Sequence, residues 1–154
     1  MTQPLLSIGM IVKNEERCLE KCLKALESLR QVIPCELVIA DTGSTDKTKE
    51  IAKKYADNLF DFTWVNDFSK ARNAVMDKCS GKWFLTVDAD EYLTPDTNEI
   101  VSFLKGPSAQ NKIFATVVIR NYGDIEMKGT YSDFNALRMV RMNTGIRYEG
   151  AIHE

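Results

Sequence analysis

Short hydrophobic runs alternate with amphipathic stretches along most of the chain. The runs at residues 5–12, 36–40, 58–64 and 83–87 are bounded by polar or turn-forming residues, which predicts four β-strands. The last of these runs is apolar on both faces, as is typical of a strand inside a parallel sheet. Because strands alternate with helices, the pattern predicts right-handed crossovers and a layered α/β domain.

The stretches between these strands carry apolar residues at helical spacing. Asn14 is predicted to cap the first helix, because Asn is a favoured capping residue and two glutamates follow it in the first turn. Ser44 or Thr45 is predicted to cap the second helix in the same way. The third helix is predicted at residues 69–79, and its inward-facing residues are Ala71, Val75 and Met76.

The pattern changes after residue 95. A helix is predicted near residues 96–104, followed by a turn-forming stretch at 105–112. Residues 113–122 and 136–142 are strand-like, and Asn143-Thr144-Gly145 is typical of a hairpin turn into a last strand at 146–148. These strands are predicted to extend the parallel sheet in antiparallel fashion. No linker divides the chain, so residues 1–154 are predicted to form a single domain.

Composition and charge narrow the range of functions. The chain has 154 residues and a net charge of −2 with both signs dispersed, which predicts no nucleic-acid partner. No apolar stretch approaches the ~18 residues of a membrane span, and no signal peptide is visible. We therefore expect no transmembrane segment. The expected location is the cytoplasm, where the protein could also lie at the inner face of the membrane.

Two of the four cysteines lie one helical turn apart. Cys18 and Cys22 could form part of a metal site, but both fall on the apolar stripe of the first predicted helix. Neither belongs to a CxxC motif, and no His lies near them in the sequence. The interpretation that we favour is therefore that they are buried, reduced thiols.

Polar residues that could carry chemistry cluster at the ends of three predicted strands. The first strand ends in Lys13-Asn14-Glu15, the second runs into an acidic turn at residues 41–46, and the fourth into Asp88-Ala89-Asp90-Glu91. In open α/β sheets, ligands bind beyond the carboxyl ends of the strands. The sequence therefore predicts a ligand site at this edge.

The pair Asp88 and Asp90 carries the clearest chemical signal. In an extended segment, residues two apart project to the same side, so both carboxylates could address one cation. Oxygen ligands suit Mg²⁺ or Mn²⁺, which also accept phosphate oxygens. Such an ion would offset the repulsion between a diphosphate and the two carboxylates, and it would stabilise the diphosphate as a leaving group.

The order and spacing of these motifs resemble those of the family 2 glycosyltransferases, which have the GT-A fold. The resemblance covers the first ~95 residues, and the chain's end resembles the end of the catalytic core in bacterial members. The segments that carry it are residues 7–15, 36–48, 68–73, 84–93, 136–138 and 148–154. It implies a metal-dependent enzyme that transfers a sugar from a nucleotide-diphosphate sugar, expected to be a UDP-sugar, with inversion.

By this resemblance, residues 5–95 form the nucleotide-binding half of the domain. Asp41 is expected to accept a hydrogen bond from the base, and Arg72 to approach the nucleotide with its multi-donor guanidinium. Asp88 is expected to contact the ribose or the metal shell. Asp90 is expected to ligate Mn²⁺ or Mg²⁺ beneath the diphosphate and so to take part in catalysis. The base pocket is expected to be lined by Val12, Asn14 and Glu15.

Residues 96–154 are then expected to begin the acceptor-side half. His153, the only His of the chain, could complete the metal shell, and Glu154 could act as the base that deprotonates the acceptor hydroxyl. Family members normally continue with a region that helps to bind the acceptor, so we expect a chain cut short at its C-terminus. The acceptor itself, whether glycan, lipid or protein, is not identified by the sequence.

Two other functions stay open at this level. A nucleotidyltransferase shares the sheet topology and metal chemistry. Such an enzyme would require a Gly-rich loop after the first strand, however, and residues 10–15 contain no glycine. A non-catalytic binder of nucleotide sugars, or an inactive fragment of a larger protein, would keep the donor motifs without the chemistry.

Overall fold

A six-stranded sheet with the strand order β3-β2-β1-β4-β6-β5 organises the molecule. The computed structural model describes residues 2–122 and 129–152. The strands are β1 (Leu6–Val12), β2 (Cys35–Asp41), β3 (Asn58–Asp61), β4 (Trp83–Thr86), β5 (Phe114–Tyr122) and β6 (Tyr131–Arg141). The helices are α1 (Leu19–Arg30), α2 (Thr48–Tyr55), α3 (Phe68–Met76) and α4 (Asn98–Lys105), with a short 3₁₀ helix at Pro107–Gln110.

The first four strands are parallel, whereas the last two are antiparallel additions. β1 pairs in parallel with both β2 and β4, and β2 pairs in parallel with β3. β6 runs antiparallel to β4, and β5 runs antiparallel to β6. The predicted fold class is therefore confirmed. Because the chain continues to one side of β1 through β2 and β3 and then returns to its other side as β4, the sheet has a switch point between β1 and β4.

Helices pack on both faces of the parallel part of the sheet. One core joins the apolar faces of α1, α2 and α4 to residues such as Ile8 and Leu37, and the other joins α3 to Phe84. Ala71, Val75 and Met76 of α3 are buried, as predicted. Beneath α3 the packing is close enough to need glycine in β1, because a Cβ at Gly9 would overlap the ring of Phe84 in β4 and lie 2.8 Å from Val75 Cγ1 of α3. Among the described residues, no helix is long and apolar enough to cross a membrane.

The predicted cap of the first helix is wrong. α1 begins at Leu19, and Asn14 lies in the preceding loop with a positive φ of 55°. The Asn14 side chain instead accepts a hydrogen bond from the backbone N–H of Thr45, in the loop after β2. The side chain that local sequence preference predicts as a helix cap therefore makes a contact between two loops instead.

The predicted caps of the second helix are also wrong. α2 begins at Thr48, three residues beyond Thr45, and neither Ser44 nor Thr45 caps it. The carboxylate of Asp46 instead accepts a hydrogen bond from the Thr48 N–H at 2.9 Å, at the start of the helix. The residues that were expected to cap the helix are held by Asn14, since Ser44 Oγ accepts from its backbone N–H.

The C-terminal segment differs from the prediction in one element. β6 begins at Tyr131, earlier than expected, and its partner β5 is the other long strand of the hairpin. The turn at Asn143 to Gly145 is present, but residues 146–148 do not form a strand. Asn73 of α3 explains the difference: its side chain donates to the carbonyl of Tyr148 at 2.9 Å and accepts from its N–H at 3.0 Å. The tail is therefore fastened to a helix.

We expect Asn73→Ala to lower the free energy of unfolding by about 1–3 kcal/mol, because it removes two hydrogen bonds that each contribute roughly 0.5–1.5 kcal/mol. Urea denaturation followed by circular dichroism would measure this. Asn73→Asp is the matched comparison: it keeps the acceptor for the Tyr148 N–H but sets a carboxylate oxygen against the Tyr148 carbonyl, so it should recover little of the loss. Equal stability of Asn73→Ala and wild type would show that the tail is not fastened in this way.

Candidate functional site

The loops after β1 and β2 are joined along their length by hydrogen bonds. Asn14 donates its backbone N–H to Ser44 Oγ at 3.0 Å, and its side-chain oxygen accepts from the Thr45 N–H at 2.8 Å. Glu15 donates its N–H to Thr48 Oγ1 at 2.7 Å. Two loops that leave neighbouring strands therefore form one rigid rim at the carboxyl edge of the sheet.

Asp41 ends β2 at the base of this rim. In the β1–β2 register it lies opposite Val12, and it is only 2% exposed. Its Oδ1 accepts from the backbone N–H groups of Gly43 and Ser44, both at 2.9 Å. Its Oδ2 is buried and has no hydrogen-bond partner among the described residues. A buried carboxylate oxygen that lacks a donor is costly, which makes this atom a candidate for meeting a ligand.

Asp88 and Asp90 lie on a tight turn that follows β4. The turn is closed by a bond from the Glu91 N–H to the Asp88 carbonyl at 3.0 Å, and the Asp88 N–H donates to the Glu91 side chain at 3.0 Å. The premise that these residues form an extended segment is therefore wrong, because β4 already ends at Thr86. The two aspartates consequently have different surroundings: Asp88 is half-buried, whereas Asp90 is exposed.

Two arginines from different elements converge on Asp88. Arg72 of α3 donates to Thr86 Oγ1 at 2.6 Å and lies 3.4 Å from Asp88 Oδ1. Arg138 of β6 lies 3.1 Å from Asp88 Oδ2 and 2.5 Å from Glu91 Oε1. Both guanidinium groups are largely shielded from solvent, with side-chain exposures of 12% and 17%. Both oxygens of Asp88 are thus occupied by cations of the protein.

Burial raises the pKa of the Glu91 carboxyl, against the lowering effects of the Asp88 N–H hydrogen bond and of Arg138. Asp90 differs from its neighbours, since its carboxylate meets no hydrogen-bond or ion-pair partner in the described part of the chain. Within residues 2–122 and 129–152, no three His, Cys, Asp or Glu side chains are arranged to hold a metal by themselves. Mg²⁺ and similar ions are commonly bound by one or two carboxylates together with substrate phosphates. Asp90 fits that kind of shared site.

The cysteines near this edge are not suited to metal binding. Cys22 is fully buried, and burial raises the pKa of its thiol to about 12. Cys18 is half-buried, and burial together with its hydrogen bond to Glu15 raises its pKa to about 11. Both are free thiols that stay protonated at neutral pH. The interpretation of the pair as apolar core residues therefore agrees with the structure.

The last described residues run along α3 towards the carboxyl edge. The N–H of Phe68, at the start of α3, donates to the carbonyl of Ala151 at 3.0 Å. His153 and Glu154 lie outside the described residues, so their predicted roles stay predictions.

Three residues of the site were given no role by the sequence. Thr86 and Glu91 flank the acidic motif, but only the structure shows that Thr86 positions Arg72 and that Glu91 closes the turn. Arg138 lies 50 residues from Asp88 in the chain and meets it only because β6 pairs beside β4. No local pattern marks such a contact. The resemblance to the end of the catalytic core included Arg138 without indicating a function.

Comparison with known proteins identifies the family of this chain. The sequence model of Glycosyl transferase family 2 matches residues 7–148. The SPbeta prophage-derived glycosyltransferase SunS of Bacillus subtilis is 28% identical over 98% of this chain and 34% of that protein. This chain spans 34% of the length of the first curated relatives that it matches, and these proteins are therefore about three times as long.

Solved structures of glycosyltransferases share the fold. S. aureus TarS 1–349 in complex with UDP has a TM-score of 0.55 and 26% identity, over 63% of this chain and 30% of that one. The mannosyltransferase PcManGT from Pyrobaculum calidifontis, in complex with GDP-Man and Mn²⁺, has a TM-score of 0.57 and 23% identity, over 70% of this chain and 34% of that one. The predicted GT-A fold is therefore confirmed. Because the family's sequence model covers most of the chain, the chain belongs to glycosyl transferase family 2.

Proposed function

We propose that this chain binds a nucleotide-diphosphate sugar, with uracil as the base, and transfers its sugar to an acceptor hydroxyl with inversion. The observation that carries the proposal is the unpartnered, buried Oδ2 of Asp41 at the carboxyl end of β2. The imide N–H of uracil is a donor of the kind that this oxygen lacks. The likeness to TarS, whose structure is described in complex with UDP, supports the choice of base.

The rim built by Asn14, Glu15 and the loop after β2 would form the wall of the base pocket beside Val12. Since neighbouring strands lie about 4.8 Å apart, the end of β2 is about 10 Å from the end of β4, on the other side of β1. A nucleotide whose base lies at Asp41 would therefore extend across the switch point towards Asp88 and Arg72. Ligands of α/β sheets commonly bind across such a crevice.

Arg72 would bind and orient the diphosphate, since its guanidinium offers several donors in a fixed plane and is already aligned by Thr86. Asp88 would contact the ribose. Asp90, exposed and unneutralised, would hold Mn²⁺ or Mg²⁺, with His153 as a further ligand. When bound, the divalent ion would offset the charge of the departing diphosphate. Glu154 would accept the proton of the acceptor hydroxyl, within the acceptor-side half of residues 96–154.

A thermal-shift panel of nucleotides with and without Mn²⁺ tests this proposal. UDP with Mn²⁺ is expected to raise the melting temperature most, and UDP-sugars should act similarly, because only they combine a uracil with a diphosphate. GDP and ADP serve as controls with the same diphosphate and a different base. A larger shift from nucleoside triphosphates would favour a nucleotidyltransferase, and no shift from any nucleotide would contradict the proposal.

A further inference from the structure

Arg138 occupies an unusual place beside the acidic turn. Met139 pairs with Leu85 in the β4–β6 ladder, so Arg138 is the first residue of β6 to pass the paired end of β4. A register irregularity in the β5–β6 ladder falls at the same place, where Ala115 pairs with Met139 and Thr116 with Leu137. This bulge leaves Arg138 without a cross-strand partner in β5, and β-bulges commonly re-aim a side chain.

The side chain of Arg138 joins two carboxylates of the turn. Its Nη2 lies 3.1 Å from Asp88 Oδ2 and 2.5 Å from Glu91 Oε1. Its Nε is buried and has no hydrogen-bond partner in the described part of the chain, so the charge is desolvated and depends on these two contacts. Removing one partner of a shielded ion pair leaves the other charge uncompensated, which is strongly unfavourable.

Arg72 makes a weaker contact with the same aspartate. Its 3.4 Å separation from Asp88 exceeds the ~2.7–2.9 Å of a strong charge-assisted hydrogen bond. Arg138 is therefore the main holder of Asp88. Its backbone is fixed in the sheet, whereas Arg72 projects from a helix that starts at the site's edge.

We propose that Arg138 is a positioning residue that holds Asp88 and Glu91 in the turn, so that Asp88 does not draw Arg72 away from the donor's diphosphate and Asp90 is presented to the metal. Without Arg138, the carboxylates of Asp88, Asp90 and Glu91 would all face the diphosphate. Arg72 would then have to neutralise them. Glu91 would then repel the diphosphate, and Asp88 would draw Arg72 back. This inference rests on the proposed function, because it assumes that a diphosphate binds at this edge.

Titrations of Arg138→Gln with UDP plus Mn²⁺ and with free uracil test the inference. We expect UDP with Mn²⁺ to bind roughly tenfold more weakly, in the range found for residues that orient metal ligands. Uracil, which has neither the ribose nor the diphosphate, should bind as it does to wild type, because the base pocket at Asp41 is untouched. Arg141→Gln is the matched control: it changes another arginine of β6, one that donates to the Gln110 carbonyl away from the turn, and should leave both affinities unchanged.

The double variant Arg138→Gln/Glu91→Gln separates positioning from general damage. If Arg138 acts by neutralising and holding Glu91, removing that charge should restore most of the lost UDP affinity. Should Arg138→Gln fail to fold by circular dichroism, Arg138→Lys keeps the charge with a single point of contact, and an intermediate loss of UDP affinity is expected.

Three results would overturn the inference: unchanged UDP affinity in Arg138→Gln or, where only the lysine variant folds, in Arg138→Lys; equal losses for UDP and uracil; or no recovery in the double variant. If wild-type protein itself fails to bind UDP with Mn²⁺, the proposed function fails first and the inference falls with it. The order of these measurements therefore shows which of the two is at fault.

Discussion

Asp90→Asn is expected to weaken the binding of UDP in the presence of Mn²⁺ by at least about 100-fold and to abolish its dependence on the metal. The substitution removes the charge of the one exposed carboxylate of the turn while keeping its size. Altering residues that merely orient metal ligands costs about 10- to 100-fold in metal affinity, so losing a ligand should cost at least as much. Isothermal titration of UDP, with and without Mn²⁺, would measure both effects.

Asp96→Asn is the matched control for this experiment. Asp96 is also exposed, lies six residues further along, and accepts a hydrogen bond from the Asn98 N–H that an asparagine can also accept. It should leave UDP binding unchanged. Because Asp90 makes no contact that supports the fold in the described part of the chain, its variant should melt like wild type without ligand. Metal-dependent binding of undiminished strength in Asp90→Asn would remove Asp90 from the metal site.

The contrast between Asp88 and Asp90 shows where sequence reasoning succeeds and where it fails. The burial of the β4 residues and the parallel sheet follow from hydrophobic patterning, because a strand covered on both faces must be apolar throughout. The position of the acidic motif at the carboxyl edge follows in turn. The geometry inside the motif does not, since it is set by the Glu91 side chain and by Arg138, which reaches the turn from the neighbouring strand β6, 50 residues further along the chain.

The wrong helix caps have the same physical origin. Asn14, Ser44 and Thr45 are favoured capping residues, and local propensity assigns each to the nearest helix. In the fold they bond to one another across two loops about 30 residues apart, so a tertiary contact overrides the local preference. The segment at residues 146–148 is similar, because its strand-like sequence is fastened to Asn73 of α3 instead of to another strand. Such choices depend on neighbours that no local window contains.

Asp41→Asn is expected to weaken both free uridine and UDP by ~1.5–3 kcal/mol, the range for a hydrogen bond to a charged group. This corresponds to roughly 10- to 150-fold in affinity. The loop should stay intact, because the side-chain oxygen of the asparagine can still accept from the N–H groups of Gly43 and Ser44. Its amide NH₂ then replaces Oδ2 and presents a donor to the donor N–H of uracil. Titrations with uridine and with UDP would give the two losses directly.

Equal losses for the two ligands are the decisive feature, because a contact to the base does not depend on the diphosphate or on the metal. Asp61→Asn is the matched control. Asp61 lies opposite Asp41 in the β2–β3 register, but its side chain is 70% exposed and pairs with Lys49. It should leave both affinities unchanged. A loss confined to UDP would instead assign Asp41 to the diphosphate or metal end of the site, and the base would then have to bind elsewhere along the rim.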